Sequence, residues 1–156
     1  MNRKDREITN FDDMLAILEK CDTISVGFQG RDYPYVVPVS FGFVPKDGAV
    51  TVYFHGARQG LKIDMLKENP NVCVEGHVFV RTEPTQHGIT TRYESVIGYG
   101  TVERVEGEAA MVGLQSILAH YHYPDVSVES CRGLPMTAVY QINLTKLTGK
   151  RNINRI

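Results

Sequence analysis

His55, Gly56, Arg58, Gly60 and Lys62 lie close together in the stretch Tyr53-Phe54-His55-Gly56-Ala57-Arg58-Gln59-Gly60-Leu61-Lys62. Small residues, two cations and a titratable ring at this spacing suit the capture of a phosphate. Glycines let backbone N–H groups converge, and a helix start leaves its first amides unpaired and partly positive. Arg58 and Lys62 add full charges to that turn, and His55 stands just before it, where it could face whatever the phosphate belongs to. The glycine spacing is that of neither the Walker loop nor the dinucleotide fingerprint. An ordinary strand-to-helix connection with solvated Arg58 and Lys62 fits the same residues, so the surrounding elements must decide.

Val50 to Phe54 is β-branched and aromatic, which reads as a strand; Leu61, Met65 and Leu66 then take helical spacing until Asn69-Pro70 stops it. Before this, Thr9 or Asn10 can cap a helix carrying Phe11, Met14, Leu15 and Leu18 as far as Lys20. Ile24, Val26 and Phe28 alternate as a strand over 23–28, and Gln29-Gly30-Arg31-Asp32 turns it into a returning strand over 33–44. Pro34 and Pro38 interrupt that strand, because proline cannot donate to a ladder. A bulge near Pro38 would free backbone groups beside Val39, Ser40 and Phe41 for a ligand; a proline-protected edge strand reads equally well.

Downstream, 71–80 is a strand, 81–90 a polar loop, and 91–105 a second strand whose Gly98 and Gly100 suit a bend in a wall or a close backbone approach. Met111, Leu114, Ile117, Leu118 and Tyr121 mark a helix face. Residues 124–135 are irregular, 136–147 close the chain as an alternating strand, and Thr148-Gly149-Lys150-Arg151 is a basic, glycine-broken tail. Six strands in hairpin order with few helices predict a mainly β domain with flanking helices, an antiparallel barrel closed or nearly so.

The 156 residues, 42% hydrophobic and 22% charged, suit a single domain spanning 1–156. A net charge of −1 gives no electrostatic reason to expect nucleic acid or an anionic membrane. The first residues lack the apolar core of a secretory signal, and no apolar run reaches membrane-spanning length. Cys21, Cys73 and Cys131 are odd in number and widely spaced, which argues against a disulfide framework or a structural zinc site and makes a reducing cytoplasm the expectation. No metal is expected, since His120 and His122 at i, i+2 of a helix point in different directions.

The ordered features resemble the FMN-binding split β-barrel proteins related to pyridoxamine 5′-phosphate oxidase, in the branch that includes the nitroimidazole reductases. The resemblance rests on residues 33–42 (YPYVVPVSFG), on Tyr53-Phe54-His55-Gly56-Ala57 with Gly60-Leu61-Lys62-Ile63-Asp64, on Asn69-Pro70, on 93–100 (YESVIGYG), and on Leu147-Thr148-Gly149-Lys150. It implies a six-stranded antiparallel split β-barrel and a homodimer with FMN at its interface. By this resemblance Lys62 contacts the phosphate, with Arg58 and the Gly56-Ala57 backbone beside it. Pro38, Val39, Ser40 and Phe41 follow the isoalloxazine edge, Ser95 lies on the strand that passes the flavin, and His55 borders the ring system as the candidate proton donor.

Two departures stand out. The chain has no Trp and lacks the family's Trp-containing C-terminal segment, which disfavours vitamin B6 oxidation; and Gly60 stands where many relatives carry a hydroxyl residue. The implied activity is flavin-dependent reduction of a small organic substrate, a nitroaromatic such as a nitroimidazole being the class the branch suggests. A non-catalytic flavin- or haem-binding carrier or sensor is the alternative. No nicotinamide-binding motif identifies an electron donor.

Overall fold

The computed structural model describes residues 3–86 and 88–153; His87, expected in a loop, lies outside them. The described residues form β1 (Glu7–Ile8), α1 (Phe11–Lys20), β2 (Ile24–Phe28), β3 (Tyr35–Val39), β4 (Phe41–Lys46), β5 (Ala49–Gly56), α2 (Leu61–Glu68), β6 (Asn71–Thr85), β7 (Gly88–Val105), α3 (Gly107–His120) and β8 (Ala138–Asn152). Strand pairs are antiparallel in the order β3-β2-β6-β7-β8-β5-β4, with β1 added to β8. The two edge strands, β3 and β4, are consecutive in the chain with Ser40 alone between them. A sheet whose edges are tied by one residue must curl until they meet. No ladder joins β3 to β4 among the described residues, so the wall stays parted at Ser40 and the barrel is split.

The expected class, an antiparallel split barrel with flanking helices, is the observed one, but among the described residues the strands number eight rather than six. The strand expected over 33–44 breaks at Ser40, and Glu7–Ile8 adds a short strand against Lys150 and Gly149. Residues 81–90 are not a loop. They extend β6 and β7 into a ribbon in which Arg81 pairs with Arg92 and Glu83 with Thr90, after a bulge between Phe79 and Arg81. Both arginines bond the Glu83 carboxylate, so the polarity that suggests a loop instead forms cross-strand ion pairs. The basic tail is likewise strand, because Gly149 lets α1 and β1 come close: a β-carbon there would stand 2.8 Å from Met14 Cγ and 2.9 Å from Ile8 Cβ.

Alternation builds the interior. Ile24, Val26 and Phe28 of β2, Val72 and Val74 of β6, and Val50, Val52 and Phe54 of β5 enter one core that α1 closes with Ile17 and Leu18. Asn10 caps α1 by accepting a hydrogen bond from the Asp13 N–H at 3.1 Å. Tyr53 has the opposite parity and meets Ile117 of α3 and Val139 of β8 in a second cluster outside the wall. Helix α3 can lie this near because a β-carbon on Gly42 would stand 2.3 Å from the Ser116 carbonyl carbon, and one on Gly113 would stand 2.6 Å from the Tyr53 ring. At Gly100 a register shift sets the backbone 2.4 Å short of the Asn143 oxygen for any β-carbon, as its sequence position suggests. Among the described residues no helix is long and apolar enough to cross a membrane.

Candidate cofactor site at the end of β5

Strand β5 ends at Gly56, and four residues later Gly60 caps α2 with φ 126°, a conformation that favours glycine. The Gly60 carbonyl accepts the N–H groups of Ile63 and Asp64, at 2.9 and 3.1 Å. No side chain caps the helix, so the first-turn amides of Leu61 and Lys62 have no side-chain acceptor. This is the strand, glycine turn and helix start expected from the sequence.

Lys62 reaches back across the turn. Its Nζ lies 5.7 Å from the centroid of Phe54 and 2.8 Å from the point a β-carbon on Gly56 would occupy. Phe54 is fully buried and stacks on Tyr140 at 5.1 Å, and the Tyr140 hydroxyl donates to the Ala57 carbonyl at 3.2 Å. The ammonium therefore rests on an aromatic floor at the mouth of the barrel. Among the described residues no carboxylate pairs with it. A cation without a counter-ion, beside uncapped helix amides and over a glycine, fits a phosphate group.

His55 has the parity of Tyr53, so its side chain leaves the wall on the α3 face, whereas Gly56 and Lys62 lie on the interior face. There it borders a cavity of about 230 Å³ walled by α3 and the 128–137 connection. Partial burial lowers its pKa below the usual histidine value, and the Lys62 ammonium lowers it further. The neutral imidazole is thus favoured. Ser40 stands one register step beyond the Phe41–Phe54 pair, level with His55, and so the strand break and the glycine turn meet at one end of the barrel. Val39 and Phe41 turn inward, while Pro38 and Ser40 are exposed at the split. Arg58 and Ala57 are exposed on the turn.

Ser95 stands on the Pro38 side of the split, away from Lys62: the ladders carry Pro38 to Ser25, Glu75 and Ile97, two residues along β7 from Ser95. The register carries Phe54 through Tyr140 to Arg104, and Ser95 lies nine residues before Arg104 on β7, about 30 Å along the strand. Its neighbours Glu94 and Val96 are buried, so Ser95 faces outward with Ile97 and Tyr99. Sequence reasoning missed Phe54 and Tyr140 as the floor under Lys62. The alternation of both strands marks them as inward, but only the β5–β8 register puts one against the other.

The family model described as pyridoxamine 5′-phosphate oxidase matches residues 11–151. The chain belongs to that family. A solved structure from Bacteroides thetaiotaomicron, provisionally assigned as a 5-nitroimidazole antibiotic resistance protein, is 29% identical; the match covers 92% of this chain and 85% of that one with a TM-score of 0.81. The FAD and heme binding protein of Mycobacterium smegmatis is 16% identical over 96% of this chain and 74% of its own, with a TM-score of 0.77. An FAD-binding protein from Mesorhizobium loti is 20% identical, covers 95% and 98% of the two chains, and has a TM-score of 0.62. The latter two share the fold. No curated protein sequence matches the chain significantly. Within the pyridoxamine 5′-phosphate oxidase family, the matched segment contains both parts of the site, Pro38–Phe41 and His55–Lys62.

Proposed function

We propose that the protein is an FMN-dependent oxidoreductase that reduces a small organic substrate, with nitroaromatics as the substrate class. The observation that carries this reading is Lys62. Its unpaired ammonium lies on Phe54 over Gly56, beside the uncapped amides of α2, and so offers a compact seat for a single phosphate. Family membership and the 29% identical Bacteroides relative support the flavin and the substrate class respectively. When bound, flavin supplies hydride or electron transfer.

The chain's own residues bind and orient. Lys62 and the α2 amides fix the phosphate, the Pro38–Phe41 backbone at the split offers donors and acceptors to a planar ring, and His55 holds a proton or hydrogen bond at the substrate side. An anion bound at Lys62 would cancel the charge that depresses His55, returning the imidazole towards the range where it exchanges protons near neutrality.

A second copy of the chain is the proposed partner. The outer face of β2, β3, β6 and β7 exposes Val36 and Tyr99 around an apolar hollow of about 620 Å³, and Ile97 on the same face of β7. Ser95 shares that face, so in a dimer it belongs to the interface rather than to the Lys62 cluster of its own chain.

Titration of the purified protein with FMN, FAD and haemin, followed by visible spectra, tests the reading. Saturable FMN uptake that Lys62→Glu reduces at least tenfold is expected, with anaerobic bleaching by a reductant and reoxidation by a nitroaromatic. A Soret band without flavin uptake would favour the carrier or sensor alternative, and unchanged FMN affinity in Lys62→Glu would refute the phosphate seat.

A further inference from the structure

The cavity on the α3 side of His55 is absorbed by neither the phosphate seat nor the apolar outer face. Leu114, Ile117 and Leu118 of α3 form one wall, Val128 and Leu134 of the connection form the other, and His55 stands at the end of β5. Among the described residues no Asp, Glu, Lys or Arg lines it. The Thr137 hydroxyl donates to the Gly133 carbonyl at 2.9 Å and keeps acceptor capacity alone, whereas the imidazole can both donate to and accept from a ligand.

Volume limits the occupant. An apolar cavity of about 150 Å³ accepts benzene, so 230 Å³ accommodates one ring with one or two small substituents. A charged ligand would lose its hydration against walls that return no counter-charge.

We propose that this cavity is the substrate compartment of the His55 site and that it admits uncharged, single-ring organic molecules while rejecting their ionised analogues. The word substrate rests on the flavin reading; the cavity's preference for such molecules does not.

Nitrobenzene and 4-nitrobenzoate are the matched probes, titrated into the full chain with and without FMN. The readouts are the NMR shifts of the His55 ring and the Leu114 and Leu118 methyls, together with alkylation of Cys131, an exposed thiol on the cavity wall, by iodoacetamide. Nitrobenzene is expected to shift all three residues and to slow Cys131 alkylation at least fivefold, and 4-nitrobenzoate to do neither. Leu114→Trp should abolish the shifts; Cys131→Trp adds bulk to the cavity wall from an exposed position, and should abolish them while FMN affinity stays within twofold and the thermal midpoint stays that of the parent. Equal responses to both probes, shifts confined to residues elsewhere, or shifts that survive Cys131→Trp would overturn the proposal. A nitrobenzene response in a protein that binds no FMN would support the cavity and defeat the flavin reading alone; FMN binding without that response would do the reverse.

Discussion

Lys62 Nζ lies 2.8 Å from the point that a β-carbon on Gly56 would occupy, so the glycine sets where the ammonium rests. The far end of a lysine moves easily, and Gly56→Ala should therefore leave the fold intact while displacing the charge. FMN affinity is expected to fall about tenfold, a loss of about 1.4 kcal/mol, with an unchanged thermal midpoint. Equilibrium titration beside a melting curve checks this; an alanine variant that binds as tightly as the parent would show that Lys62 Nζ contributes nothing where it sits.

His55 titrates below the ordinary histidine value because burial and then Lys62 disfavour its charged form. The folded state therefore holds this proton less tightly than the unfolded chain. The stability associated with neutral His55 is present above the unfolded pKa and is lost as pH falls through the folded one. Lys62→Met should raise the His55 pKa part of the way back, since burial persists, and inorganic phosphate should also raise it in the parent by neutralising the ammonium without covering the imidazole. Two-dimensional NMR of the imidazole across pH 4–8 reads both shifts. A downward shift on adding phosphate would contradict an anion seat at Lys62.

The core face of nearly every strand was legible as alternation, and Asn10, Gly60 and Gly100 announced a cap, a helix start and a close backbone approach. The phosphate turn was legible because cations and glycines are close in sequence. What composition could not reveal is long-range register. The stretch 81–90 reads as polar loop because the ribbon's stability comes from Glu83 meeting Arg81 and, across the strands, Arg92, and its apolar content is low. Likewise the two sides taken by His55 and Lys62 depend on which face of β5 meets α3, and the close approach at Gly42 and Gly113 that brings α3 there joins residues about seventy positions apart.

Gly100 carries a packing demand that its exposed neighbours do not. A β-carbon would meet the Asn143 carbonyl oxygen at 2.4 Å, and backbone of the central strand β8 cannot swing away as a side-chain tip can. Gly100→Ala should cost about 1–3 kcal/mol. Gly133→Ala, at a site with open space and negative φ, serves as the near-neutral comparison. Urea denaturation of both variants decides the matter, and equal midpoints would show that the bulge gives way freely.

Glu94 faces inward on β7 with 4% of its surface exposed, where Lys20 donates to one carboxylate oxygen at 2.7 Å and Arg151 to the other at 2.7 Å. Burial alone would raise its pKa, but the two cations together outweigh that and hold it below the usual carboxylate value. The pair joins the end of α1 to the last turns of β8, and so fastens the helix that closes the barrel. A depressed folded pKa means stability that is fully present above the unfolded value and drains away as pH falls through the folded one. Glu94→Gln should lower stability at neutral pH by about 1.5–3 kcal/mol, the range for hydrogen bonds to charged groups, and should flatten the acid limb of the stability curve. Both follow from urea midpoints measured from pH 3 to 7. A Gln variant with the parent's neutral stability and the parent's acid slope would mean that Lys20 and Arg151 find equally good partners in water.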